Sequence, residues 1–140
     1  MEVIELRPKL VSFRATAFHG ENKAASSGND PWNIALTQTV EMGLASAQDA
    51  DAPLLAIVKF DLQAKASKVA DADMRAEFDA SYEAKFEYPP LVSEEKILPK
   101  LAQESYQYLL TAQAFPLAMT HFRRELQSMG FDARALPLGL

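Results

Sequence analysis

The sequence predicts an α+β fold: a four-stranded antiparallel sheet with a crossover after strand 1 and two C-terminal helices. Two patterns predict it. Apolar and polar residues alternate with a period of two through most of the chain before Pro89, and apolar residues recur at three- and four-residue spacings after Phe115. The chain has 140 residues, the length of one domain that can bury a core, so we expect a single domain over 1–140.

Composition and charge narrow the class of protein. The chain has 14 basic and 19 acidic residues, a net charge of -5 and no cysteine. Negative charge argues against nucleic acid as a partner, because affinity for a phosphate backbone depends mainly on Lys and Arg. The lack of cysteine excludes disulfides and thiolate metal sites. The sequence has neither a signal-peptide pattern nor an apolar run close to the ~20 residues that span a bilayer, so we expect a cytoplasmic protein with no membrane insertion.

The clearest strand is predicted over 74–88, where apolar and charged residues alternate without interruption. Such alternation is typical of a strand with one buried and one solvated face. The same pattern predicts strands over 34–47 and 54–67. The connectors between these three strands are short, so we expect them to form an antiparallel meander.

A first strand is predicted over 10–18. Residues 19–31 separate it from the next strand and are rich in Ser, Gly, Asn and Asp. This connection is too long for a hairpin. We interpret it as a crossover that lets the first strand pair elsewhere in the sheet.

The first helix is predicted to begin at Ser93 or at Pro99 and to continue to Ala114, after the segment Tyr88-Pro89-Pro90 ends the sheet. Its apolar residues leave little of the circumference polar. A helix of this kind needs cover on more than one side, and one sheet covers a single side. We therefore expect a second subunit against it.

The second helix is predicted to begin at Phe115-Pro116 and to end at Gly130, which would act as a left-handed cap. A single apolar stripe follows its length and consists of Phe115, Met119, Phe122, Leu126 and Met129.

Three segments resemble the SecB protein-export chaperones and their SecB-like relatives. They are Asn29-Asp30-Pro31-Trp32 before a long strand, Glu77-Phe78 within the fourth strand, and Phe115-Pro116 followed by a helix, Gly130-Phe131 and Leu136-Pro137-Leu138. The order of these segments carries the resemblance. Two features depart from the family: Met119 stands where an arginine is usual, and the chain ends at Leu140 without the family's acidic, zinc-binding tail.

The resemblance implies a homotetramer, a dimer of dimers with the long helices packed between sheets, that holds unfolded or non-native polypeptides without ATP and serves protein export. It implies a client groove between the crossover and the last helix. The residues we expect to line it are Phe18, Trp32, Phe122 and Phe131. SecA is the family's motor partner, and the missing tail argues against its usual coupling. The alternative is an interaction module or a chaperone specialised for one partner, such as an antitoxin.

Partner docking is a hypothesis for Glu77, Asp79 and Glu83 on the fourth strand. Each predicted site also has a purely structural alternative. The three acidic residues are equally typical of a solvated strand face. Phe122 is equally typical of an apolar stripe in the core, and Trp32 of a residue that packs the crossover onto the sheet.

The sequence predicts neither an enzyme nor a cofactor. His19 and His121 have no accompanying metal-ligand pattern, and the five glycines lie outside any phosphate-binding motif. The acidic turns at 49–51 and 71–73 lack the glycine and the distal glutamate of a calcium loop.

Overall fold

The computed structural model describes residues 7–23, 32–45, 53–68 and 75–131. Its elements follow the order β1 (Lys9–Asn22), β2 (Trp32–Ala45), β3 (Leu55–Lys68), β4 (Arg75–Glu87), α1 (Glu94–Leu101) and α2 (Glu104–Ser128). The predicted α+β class is confirmed, with four antiparallel strands in one sheet and two C-terminal helices.

The strand order across the sheet is β1-β4-β3-β2. β2, β3 and β4 form the predicted antiparallel meander. β1 pairs with β4, so the connection from β1 to β2 crosses from one edge of the sheet to the other, as predicted. The crossover prediction was wrong in one respect, because residues 19–22 belong to β1. The remainder of that connection, with Asn29-Asp30-Pro31, lies outside the described residues.

Two β-bulges interrupt β1. The register against β4 shifts between Leu10 and Ser12 and between Ala15 and Ala17, which leaves Val11 and Thr16 as the extra residues. Each bulge changes which later residues point inward. The inward positions of β1 therefore follow an irregular spacing, and the sequence located residues 10–18 of this strand but not its last four residues.

The core lies between the inner face of β3 and β4 and the helix α2. Every second residue of both strands is buried, and the largest of these side chains are Phe60, Leu62, Phe78, Tyr82 and Phe86. Across this layer the rings of Phe60 and Phe115 lie 6.1 Å apart. Full burial of one such side chain contributes about 1.5–3 kcal/mol, so this inner face accounts for much of the stability of the fold.

The predicted helix boundary at Phe115-Pro116 was wrong. Both residues lie inside α2, and the break falls instead at Ala102 and Gln103, between α1 and α2. Proline removes one backbone donor from a helix, which normally favours a break there. Here Phe115 is fully buried against the sheet, and this packing holds the segment helical.

The C-terminus of α2 ends as predicted, at Gly130. Gly130 has a φ of +81°, and its N–H donates to the carbonyl of Gln127. The N–H of Phe131 donates to the carbonyl of Leu126. These two bonds form a Schellman motif, which satisfies carbonyls that the helix end leaves free.

β1 and the C-terminus of α2 are in close contact. The side-chain amide of Asn22 donates to the carbonyl of Met129 at 2.9 Å. A Cβ added at Gly20 would lie 2.5 Å from Met129 Sδ and 2.9 Å from Phe78 Cδ1. Glycine at position 20 is therefore what permits this close approach of helix and strand.

We predict that Gly20→Ala lowers the free energy of unfolding by about 1–3 kcal/mol, because the added methyl group overpacks the contact with Met129 and Phe78. Urea denaturation monitored by circular dichroism measures the change. Gly43→Ala is the matched control, since a Cβ at Gly43 meets nothing within 4 Å. Equal stability of the Gly20→Ala variant and the parent would contradict the contact.

Candidate functional site

Three of the four residues predicted to contact clients lie at one corner of the fold, where β1 and β4 meet the end of α2. The ring of Phe18 lies edge-on to Phe122 with centroids 6.4 Å apart, and Phe131 packs on Phe78 at 5.7 Å. Phe122 and Phe131 are buried, and Phe18 is half-buried. The burial of Phe122 agrees with the alternative interpretation, in which it is a core residue. The client-binding roles stay predictions.

Trp32, the fourth of these residues, lies at the opposite edge of the sheet. It is the first residue of β2 and pairs with Lys68 of β3. Its side chain lies outside the described residues. β3 and β4 separate it from Phe18, so the four predicted residues do not share one strand pair.

The three residues predicted to dock a partner share the outer face of β4, as their two-residue periodicity predicts. Asp79 Oδ2 lies 3.7 Å from His19 Nδ1. Glu77 borders a cleft of about 260 Å³ together with Glu21, Lys23 and Arg75. The docking role of these acidic residues stays a prediction.

Glu83 differs from the other two acidic residues because its side chain is only 14% exposed. It accepts a hydrogen bond from Arg14 Nε at 3.3 Å, and Lys85 Nζ lies 3.9 Å away. Strand register also places Glu83 between Arg14 and Lys59, with Glu41 beyond Lys59. This row of alternating charge crosses all four strands, so Glu83 already has basic partners within its own chain.

An apolar groove of about 350 Å³ lies between the inner face of β2 and the helices, and we call it the β2–α2 groove. β2 forms an edge of the sheet, and its inward side chains are only half-buried. The residues around the groove are Val40, Met42, Leu101, Glu104, Gln107, Tyr108 and Thr111. The sequence pattern does not predict this groove. Alternation marked Val40 and Met42 as inward-facing, but the helix break that opens the groove carries no sequence signal.

The outward side of α2 exposes further apolar area. Leu117 is 43% exposed there, and Leu98 of α1 is 51% exposed. Tyr108 is 56% exposed but lines the groove, on the opposite side of the helix from Leu117. Leu117 follows the segment that the sequence predicts to be apolar nearly all round, which ends at Ala114. Within the part of the chain that the structure describes, no helix is long and apolar enough to cross a membrane.

The polar groups under the sheet are hydrogen-bonded to one another. The hydroxyl of Tyr82 lies 2.8 Å from His121 Nδ1, and His121 Nε2 lies 3.5 Å from a carboxylate oxygen of Glu125. The described residues contain no group of three or more His, Cys, Asp or Glu side chains that could hold a metal ion. The Tyr82–His121 contact connects β4 to α2.

A second buried pair, the hydroxyls of Tyr88 and Tyr106, lies at 2.5 Å beside α1. Burial raises the pKa of Tyr88 above its usual value of 10.0, and the bond to Tyr106 raises it further. Burial also raises the pKa of Tyr106 and, with the charge of Glu125, the pKa of Tyr82. All three phenols favour the neutral form in the folded state.

Comparisons with known proteins agree with this architecture. The fold is similar to that of the Mycobacterium tuberculosis Rv1957 SecB-like chaperone, solved in complex with a ChAD peptide from the Rv1956 HigA1 antitoxin. The TM-score is 0.57 at 16% sequence identity, and the match covers 94% of this chain and 90% of that one. No family model and no curated protein matches the sequence. The chain therefore has a SecB-like fold.

We predict that stability falls steeply above about pH 10, the ordinary pKa of tyrosine. Below that pH the phenols are neutral in both states. Above it the unfolded chain releases protons first, which favours unfolding. Urea titrations at increasing pH measure the slope, and Tyr88→Phe should make it shallower. Tyr108→Phe, which removes an exposed phenol and leaves the three buried ones, should not. Identical alkaline slopes for Tyr88→Phe and the parent would refute the assignment.

Proposed function

We propose that this protein is an ATP-independent chaperone that holds unfolded or non-native polypeptides. The observation that carries the proposal is the apolar surface left uncovered on a SecB-like fold: the β2–α2 groove and the outward face of α2. A holdase needs such surface to take up apolar client side chains, together with surrounding charge for solubility. The charged outer face of the sheet and the net charge of -5 meet the second need.

The β2–α2 groove has the composition that an extended chain requires. Val40 and Met42 supply an apolar wall from the sheet, and Leu101 and Tyr108 supply one from the helices. Gln107 and Thr111 are engaged within the helices, because the Gln107 amide donates to the carbonyl of Leu101 and the Thr111 hydroxyl donates to the carbonyl of Gln107. The groove therefore offers mainly apolar contact beside the single carboxylate of Glu104, which favours apolar clients of varied sequence.

A specialised chaperone is the second candidate. The similar structure is a SecB-like chaperone that holds a peptide from an antitoxin, which favours a role for this chain with one dedicated partner. The first candidate is a general chaperone, which would lie in the cytoplasm, serve protein export and engage SecA.

We further propose that the chain assembles as a homotetramer, because Leu117 and its half-buried neighbours Leu109 and Ala112 leave an apolar helix face that one sheet does not cover. Leu117→Glu should reduce the solution mass from four times 15.5 kDa to that of a smaller species, since it places a charge in that face. Light scattering after size exclusion measures the mass. Gln63→Glu adds the same charge on the outer face of the sheet and should leave the mass unchanged. A parent protein that is already monomeric would rule the assembly out.

The holdase proposal predicts that the protein suppresses aggregation of a chemically unfolded test protein without ATP. Trp32 is the only tryptophan, so its fluorescence reports on the start of β2 and should shift to shorter wavelength when an unfolded chain is added, but not with the folded form. Tyr108→Ala should weaken suppression without lowering the melting temperature, because this ring lines the groove and is 56% exposed. Phe122→Ala is unsuitable for this purpose, because loss of a fully buried ring costs about 3–5 kcal/mol.

The same experiment separates the two candidate functions. Suppression of aggregation for many different unfolded proteins supports a general chaperone. Weak suppression of aggregation, together with one partner that co-purifies in stoichiometric amount, supports a chaperone specialised for that partner. Absence of any suppression, of a fluorescence shift and of a stable partner would end the chaperone proposal.

A further inference from the structure

The turn between β4 and α1 contains a residue that its geometry disfavours. The N–H of Val92 donates to the carbonyl of Pro89 at 3.4 Å, which makes 89–92 a β-turn. Pro90 occupies its second position and Leu91 the third, with a φ of +73°. Proline followed by a positive φ defines a type II turn, whose third position favours Gly or Asn. A leucine in this conformation is strained, because its Cβ crowds the backbone.

Packing does not compensate for this strain. The side chain of Leu91 is 98% exposed, so it contributes almost no apolar burial within the chain. Glycine would satisfy the turn without strain and without exposing an apolar side chain. The fold of the isolated chain therefore gives no reason for leucine at this position, and strained backbone of this kind is enriched at functional sites.

The surroundings of this turn form a second surface, which we call the Leu91 patch. The exposed prolines of the turn border a concavity of about 340 Å³ together with Arg7, Lys9, Val11, Glu87 and Tyr88. Leu91 follows these prolines in the chain and is not itself part of that lining. Val11 is the extra residue of the first β1 bulge, and its side chain is 49% exposed. The patch shares no lining residue with the β2–α2 groove.

The charge of the patch indicates what would cover it. Within the lining of the concavity Arg7 and Lys9 outnumber Glu87, and neither basic residue forms an ion pair with another described residue. Glu94 and Glu95, in the first turn of α1, lie outside that lining. The concavity beside Leu91 is therefore a locally basic surface on an acidic chain, and it is complementary to a segment that carries an apolar side chain beside a carboxylate.

We propose that the Leu91 patch docks a partner polypeptide through an apolar residue flanked by acidic residues. Leu91 and Val11 contact the apolar side chain, the prolines hold the turn rigid, and Arg7 and Lys9 pair with the carboxylates. This surface is separate from the client groove, so the proposal does not depend on the chaperone function.

A peptide array tests the proposal, with each apolar residue flanked by glutamates in one set and by lysines in the matched set. The parent protein should bind the acidic set, with affinity that falls as salt rises. Leu91→Gly should weaken that binding at least about tenfold while the melting temperature stays equal or rises. Asparagine also tolerates a positive φ, so Leu91→Asn should weaken peptide binding as Leu91→Gly does. Weaker binding by Leu91→Asn excludes the added flexibility of glycine as the cause of the effect. Leu98→Ala, an exposed leucine outside the patch, is the matched control.

Equal binding of both peptide sets, or binding that survives Leu91→Gly, overturns the proposal. A lower solution mass of the Leu91→Gly variant would overturn it in favour of a second copy of this chain as the occupant. Aggregation suppression by the same variants is measured in parallel. If a Leu91 variant loses peptide binding but still suppresses aggregation, the patch is separate from the client site. If it loses both peptide binding and aggregation suppression, Leu91 takes part in holding clients, and the proposal of a separate site is overturned.

Discussion

The contact between the inner face of β3 and β4 and the helix α2 is the constraint on which the rest of the structure depends. β4 lies between β1 and β3, and its inward residues are buried without exception from Ala76 to Phe86. Phe60 and Phe115 join the two layers at the middle, and the Tyr82–His121 hydrogen bond joins them on the side of β1. One helix is narrower than four strands, so this contact can cover only the centre and one edge of the sheet. The coverage on the β1 side is completed by the Schellman motif and by the close approach at Gly20.

The opposite edge shows the consequence of that geometry. The short helix α1, not α2, is the main helical neighbour of β2, and the β2–α2 groove lies in front of Val40 and Met42, beside the break between α1 and α2. Tyr108, near the start of α2, lines this groove, whereas Leu117 lies on the opposite side of the helix, because nine residues at 3.6 per turn make two and a half turns. The groove and the exposed Leu117 are therefore two separate surfaces. A partner that covered either surface would bury apolar area that the single chain leaves in contact with water.

Strand number, the meander and the crossover could be predicted because each depends on local pattern. The alternation of 74–88 fixes which side chains face the helix, and the long connection after β1 excludes a hairpin. The bulges at Val11 and Thr16 could not be predicted, since a bulge is a property of two paired strands and leaves no regular mark on one of them. The helix boundary was misplaced for a similar reason. Proline at 116 indicates a break by local rules, but burial of Phe115 against Phe60 is a tertiary contact, and it overrides the local preference.

The predicted site residues divide according to whether the fold needs them. Phe122 and Phe131 are buried, so their aromatic character is already explained by packing, and a client could reach them only if α2 moved away from the sheet. Met119, at the position where the SecB chaperones that the sequence resembles usually have an arginine, is also fully buried, and a charge there would have to be paired or solvated. Residues whose character the fold does not explain carry more information about function. Leu91 is both strained and exposed, and Tyr108 presents an aromatic ring to solvent beside an apolar groove. Loss of either side chain would cost the isolated chain little stability, so substitutions at these two positions test contact with another molecule separately from folding.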